Sequence, residues 1–157
     1  EQALTRALDR FPAVETVTCD LRADDVDVAA DLTSLGFADG SFDWVYCSHV
    51  LEHVADDRAA MAELHRVVRP GGTVIVQVPV RDGATYEDPA VTSPADRLAA
   101  FGQEDHVRHY GLDVTTRLED AGFRVGTIRA DRLFSRDEIH RHGLIPDDLL
   151  FRCDRHD

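Results

Sequence analysis

The chain has 157 residues, 43% of them apolar, which suits one domain with a sizeable core. A formal net charge of -13 argues against nucleic acid or an anionic membrane surface as the main partner, and no apolar run is long enough to span a bilayer. All 17 basic residues are Arg and the acids are mostly Asp, a composition that fits either a salt-rich cytoplasm, where self-repulsion is screened, or a GC-rich genome.

The chain opens with a predicted helix over Glu1–Phe11, carrying Leu4, Ala7, Leu8 and Phe11 at helical spacing and ended by Pro12. Strands are expected over Val14–Asp20 and Val26–Ala30, then a loop Thr33–Ser41 with the turn Ala38-Asp39-Gly40-Ser41. The stretch Gly40–Val80 organises the rest. It reads as a strand Phe42–Cys47, a short helix opening at Ser48, a helix Asp57–Val68 capped by Asp56, a turn Arg69-Pro70-Gly71-Gly72 and a strand Thr73–Pro79. The helix places Ala60, Met61, Leu64, Val67 and Val68 on one face. A β-α-β unit of this kind implies parallel strands, and the apolar run Thr73–Val78 predicts burial on both faces.

Residues Arg81–Thr92 lack periodicity and read as a loop. Ser93-Pro94-Ala95-Asp96 opens a helix carrying Leu98, Ala99 and Phe101. A polar segment Gly102–Gly111 precedes a helix Asp113–Ala121 stopped by Gly122, a strand Phe123–Arg129, a turn Ile145–Asp148 and a last strand Leu149–Cys153. Cys19, Cys47 and Cys153 each fall in an expected strand without a C-x-x-C pair, so buried reduced thiols and a reducing compartment are expected. Alternating strands and helices define an α/β class, whose ligands sit outside the carboxyl ends of the strands. Here those ends are Asp20, Asp31-Leu32, Cys47-Ser48-His49 and Pro79-Val80.

The run Asp31-Leu32-Thr33-Ser34-Leu35-Gly36-Phe37-Ala38-Asp39-Gly40-Ser41-Phe42-Asp43 resembles the class I S-adenosylmethionine-dependent methyltransferases. So do Val50-Leu51-Glu52-His53-Val54 and Leu64-His65-Arg66-Val67-Val68-Arg69-Pro70-Gly71-Gly72. Asp105-His106-Val107-Arg108 and Leu118–Phe123 are similar to weaker downstream elements of the same family. The resemblance implies a doubly wound, mostly parallel sheet with an antiparallel last strand. It implies S-adenosyl-L-methionine as cofactor and methyl transfer to a small-molecule acceptor in the cytoplasm. The family's first strand and Gly-rich loop have no counterpart in these residues, so a single domain truncated at its N-terminus is expected. Without that central strand, the strands ending at Asp20 and Cys47 would lack a common neighbour.

Carried over by position, Asp20 would accept from the ribose hydroxyls with Leu21 beside it, and Asp31 from the adenine amino group while the Leu32 N–H donates to the ring. Either Asp also reads as a turn carboxylate. Cys47, Ser48 and His49 would meet the methionine end and the acceptor, although Ser48 also reads as a plain N-cap. His49, His106, His109 and Tyr110 are the candidates for a base, each with a packing or surface role as its alternative. Arg108 would clamp an anionic substrate or form an ion pair.

No metal ligand set is assigned. Even so, His49-Val50-Leu51-Glu52-His53 matches H-x-x-E-H, a pattern in which two histidines one helical turn apart hold zinc. A further alternative is a degenerate, non-catalytic interaction module. Oligomeric state is left open.

Overall fold

A computed structural model describes residues 2–22 and 25–156. Helix α1 spans Gln2–Leu8 and ends before Phe11, which is exposed. The expected strand Val14–Asp20 contracts to β1, Cys19–Asp20, and Val26–Ala30 contracts to β2, Val28–Ala29. These two pair in parallel, Cys19 with Val28 and Asp20 with Ala29. Val14 and Val17 remain exposed, because β1 has β2 as its one ladder partner among the described residues and a two-stranded ribbon alone is marginal.

Four strands make the main sheet, in the order β3 (Phe42–Ser48), β4 (Val68–Gln77), β8 (Leu149–Arg155) and β7 (Phe123–Arg129). β3 and β4 run parallel, joined by α2 (Asp57–Val67). β8 lies antiparallel to both β4 and β7, so the α/β class and the antiparallel last strand hold. Among the described residues the β1–β2 pair shares no strand with this sheet.

The Asp56 carboxylate caps α2 by accepting from the Ala59 N–H at 2.9 Å, and Ala60, Met61, Leu64 and Val67 are buried as their spacing predicts. Ala60, Met61 and Leu64 pack with Cys47, Val74, Val76, Phe151 and Cys153 from the sheet, and with Leu118 of α4 (Val114–Asp120) and Phe123. The Arg69–Gly72 turn is drawn into β4 as a bulge between the paired positions Phe42/Val68 and Trp44/Thr73. Gly71 sits there at φ +73°, as the turn demanded.

Burial along β4 alternates: Val74, Val76 and Val78 are buried, whereas Thr73, Ile75 and Gln77 are half-buried. Burial on both faces is therefore a correction. One face takes α2 and α4. The other carries Trp44 and Tyr46, which are exposed and stack with ring centroids 6.1 Å apart.

The remaining elements form a lobe at the end of the sheet. β5 (Tyr86–Glu87) lies in the segment expected to be a loop and pairs antiparallel with β6 (Arg108–His109). Between them α3 (Pro94–Phe101) starts at Ser93 as predicted, and stops at Gly102, which takes φ +82°. Residues 130–143, unread in the sequence, fold into α5 (Ala130–Leu133) and α6 (Arg136–His142). Cys47 and Cys153 are buried, but Cys19 is exposed, a correction that follows from the short β1.

Candidate active site

The carboxyl ends of β1 and β2 present Asp20 and Asp31 to solvent. Asp20 Oδ1 accepts from the Arg22 N–H at 2.9 Å, and its carbonyl accepts from the Ala30 N–H at 2.8 Å, which ties the two strand ends together. Leu21 is exposed. Asp31 Oδ1 accepts from the Thr33 N–H at 2.8 Å and the Thr33 hydroxyl at 2.7 Å, and these bonds hold its carboxyl below the usual range. Leu32 packs against the core.

The loop that follows is stapled to α2. Arg66 donates to the Leu35 and Phe37 carbonyls and to Asp39, while Glu63 accepts from the Leu35 N–H at 2.7 Å. This clamp fixes how Asp31 and Leu32 leave β2.

At the end of β3, Cys47 and Ser48 are buried. Ser48 ends the strand rather than capping a helix: its hydroxyl donates to Gln77 Oε1 at 3.2 Å. The expected helix at Ser48 begins later and is one short 3-10 turn, Leu51–His53, because His49 takes φ +54° and breaks the run. His49 is the exposed end of the site, with Nδ1 3.3 Å from Glu52 Oε1. His49 and His53 therefore do not share a helix, and the H-x-x-E-H arrangement of zinc peptidases is not formed.

The β5–β6 lobe covers this turn. Val107 N–H donates to the Glu52 carbonyl at 2.9 Å. Arg108 is buried, not a free clamp for substrate: its guanidinium donates to the carbonyls of Leu51 and Ala55, each at 2.8 Å, to the Val54 carbonyl, and to Glu87. It thereby satisfies the carbonyl end of the 3-10 turn.

Tyr110 is 1% exposed and its hydroxyl donates to Asp57 Oδ2 at 2.7 Å. Burial and the Asp57 charge push the phenol far above its ordinary value. That places Tyr110 among the anchors of the site. Asp57, Glu87 and Arg117 complete this network, with Arg117 donating to both carboxylates at 2.9 Å. Sequence reading missed these three, since nothing local in an amphipathic helix or an aperiodic loop marks a buried ion network.

His106 is buried and packs edge-on to His53 with centroids 4.6 Å apart; His109 lies 6.5 Å from His106. Burial first, then the His53 charge, lowers His106, and burial with Arg81 lowers His109, so both imidazoles are neutral near pH 7. The structure thus gathers His49, Glu52, His53, His106 and His109 around one strand end. Asp20 and Asp31 form a second group on the ends of β1 and β2.

A cavity of about 240 Å³ adjoins the β3 and β4 ends, lined by Tyr46, Gln77, Ile128, Leu133, Phe134 and Leu150.

A family profile described as a methyltransferase domain matches residues 3–76. The chain is 36% identical over 131 residues to an uncharacterized transposon protein of Streptomyces fradiae, covering 82% of this chain and 34% of that one. It is 46% identical over 56 residues to the demethylmenaquinone methyltransferase of Renibacterium salmoninarum, covering 35% and 24%. Among solved structures, it is similar to a chain of the complex between the Haloferax volcanii Trm112 methyltransferase activator and a candidate methyltransferase. The TM-score is 0.70 at 16% identity, over 99% of this chain and 79% of that one. The chain spans about a third or less of the length of these curated relatives. Residues 3–76 thus match a methyltransferase-domain family, and the chain has the Rossmann-like α/β fold of its structural neighbour.

Proposed function

We propose that this chain is the greater part of a domain that uses S-adenosyl-L-methionine to methylate a small molecule. The observation that carries the reading is the pair of exposed carboxylates, Asp20 and Asp31, at the carboxyl ends of two parallel strands, with His49 exposed at the carboxyl end of β3. These residues fit the cofactor. Asp20 would accept from the ribose hydroxyls and Asp31 from the adenine amino group, the latter kept ionised by Thr33. Cys47 and Ser48 would wall the methionine end. The sulfonium, when bound, supplies an electrophilic methyl group.

The chain's own residues then have three tasks. They hold the acceptor in line, keep water out, and take up its proton. His49, exposed at the strand end, is the base favoured by access; His106 and His109 lie behind it. The cavity beside Gln77 is mostly apolar and suits a small apolar acceptor. Phe134→Ala should raise KM for such an acceptor and leave cofactor affinity unchanged.

Among the described residues β1 pairs with β2 alone and β3 with β4 alone, and these unpaired edges support one further element of the reading. A strand from a longer chain would pair with both and bring its glycine-rich loop to the cofactor. Titration calorimetry with S-adenosylhomocysteine tests this on the present chain and on one extended upstream. Micromolar binding by the longer chain, lost on Asp20→Ala, is expected. No binding by a folded longer chain would overturn the enzyme and leave the non-catalytic module.

A further inference from the structure

Three ligating groups converge at the end of β3. Glu52 and His53 come from the 3-10 turn and His106 from the segment before β6, and one ligand atom from each lies within 4.8 Å of the others. Ligand atoms at about 2.1 Å from one tetrahedral metal ion stand about 3.4 Å apart, so the three groups need close by at most about 1.4 Å, a shift within reach of side-chain rotation.

Two buried polar atoms of this cluster are bare. Glu52 is 2% exposed and His106 is 5% exposed, and Glu52 Oε2 and His106 Nδ1 have no hydrogen-bond partner among the described residues. A buried carboxylate oxygen and imidazole nitrogen left bare are costly to the fold unless something fills the space between them.

The surrounding contacts aim these atoms inward. Asp105 Oδ2 lies 3.3 Å from His53 Nδ1, and His106 has a hydrogen bond with the Phe101 backbone that leaves Nδ1 bare. Metal-bound histidines are commonly oriented in this way, through the ring nitrogen that does not bind. His49 Nδ1 takes the other Glu52 oxygen at 3.3 Å. The Val107–Glu52 backbone bond and the Arg108 clamp fix the two segments against each other.

We propose that Glu52, His53 and His106 bind a divalent transition-metal ion through one carboxylate and two imidazoles. That donor set suits Zn²⁺, Mn²⁺ or Co²⁺ and leaves coordination positions open. The site is independent of the methyl-transfer reading, because its residues bind the ion whether or not a cofactor is present.

Zn²⁺ titrated calorimetrically into chelator-treated protein near neutral pH tests the proposal, with Co²⁺ absorption to report the ligands. Expected are one ion per chain and a roughly 10–100-fold weakening in each of Glu52→Gln, His53→Ala and His106→Ala. Asp105→Asn should weaken binding about tenfold, and His142→Ala, exposed and distant in sequence, should change nothing. The Co²⁺ spectrum should lack thiolate charge-transfer bands, which would point instead to the cysteines. Thermal melts check each variant; Glu52→Gln keeps the side-chain shape and carries the test if His106→Ala does not fold. Absent binding, binding unchanged in folded Glu52→Gln, or a thiolate band overturns the site.

Discussion

Arg108 shows how one side chain can hold the site without meeting the substrate. Its buried guanidinium makes four hydrogen bonds, to three carbonyls at the end of a short helical turn and to the Glu87 carboxylate. Arg108→Met would leave those acceptors unanswered. We expect a loss of about 3–5 kcal/mol of unfolding free energy, measured by urea denaturation. A loss under about 1 kcal/mol would mean that water replaces the guanidinium.

Tyr110→Phe removes one buried hydrogen bond to Asp57 and should cost about 1–1.5 kcal/mol. The pH profile of the proposed methyl transfer should not move, because the phenol does not titrate in the working range. His49 is the opposite case. It is exposed and sits in the left-handed region, which Asn also tolerates. His49→Asn should therefore keep stability within about 0.5 kcal/mol, while lowering kcat by about 10²-fold or more if His49 is the base. An unchanged kcat would pass the role to His106 or His109.

At the scale of elements, β4 decides the geometry. Its bulge lets Val68 and Thr73 both pair with β3, and Gly72 makes this possible by close approach. A Cβ there would lie 2.7 Å from the Asp43 carbonyl oxygen and 2.8 Å from Val68 Cγ2. Gly72→Ala should cost about 1–3 kcal/mol, the range of an overpacked site, read as a lower urea midpoint. A neutral effect would show that the bulge can slide.

Helix ends were plain from local chemistry. Asp56 and Ser93 cap where their side chains predict. The Ser135–Glu138 capping box was equally readable and marks α6, yet no apolar periodicity drew attention to it. Two-residue strands such as β1, β2, β5 and β6 carry no period at all. Only their partners define them.

For the whole molecule, charge and titration set the expectations. With a net charge of -13, added salt should raise the urea midpoint by screening self-repulsion. A midpoint that falls with salt would show that specific ion pairs outweigh the net charge. His65 adds a pH dependence. Burial, followed by the Arg155 charge, holds it below its ordinary value of 6.5. The unfolded chain then binds protons that the folded one refuses, so His65 contributes full stability above pH 6.5, lost as pH falls below it. Denaturation midpoints should decline from pH 7 to pH 5, roughly the span of an unperturbed histidine titration, and His65→Asn should flatten part of that slope. An unchanged slope would assign it to other groups.

The sequence by itself determined the β-α-β unit, its caps, the face of α2, and the strand ends where Asp20, Asp31 and His49 stand. Those features follow from periodicity, turn chemistry and the order of elements, which are local. The tertiary structure alone decided that β4 is buried on one face, that Arg108 and Tyr110 are anchors, and that His106 closes on Glu52 and His53. Burial, hydrogen-bond partners and converging ligands depend on residues far apart in the chain, and no short-range pattern records which of them will meet.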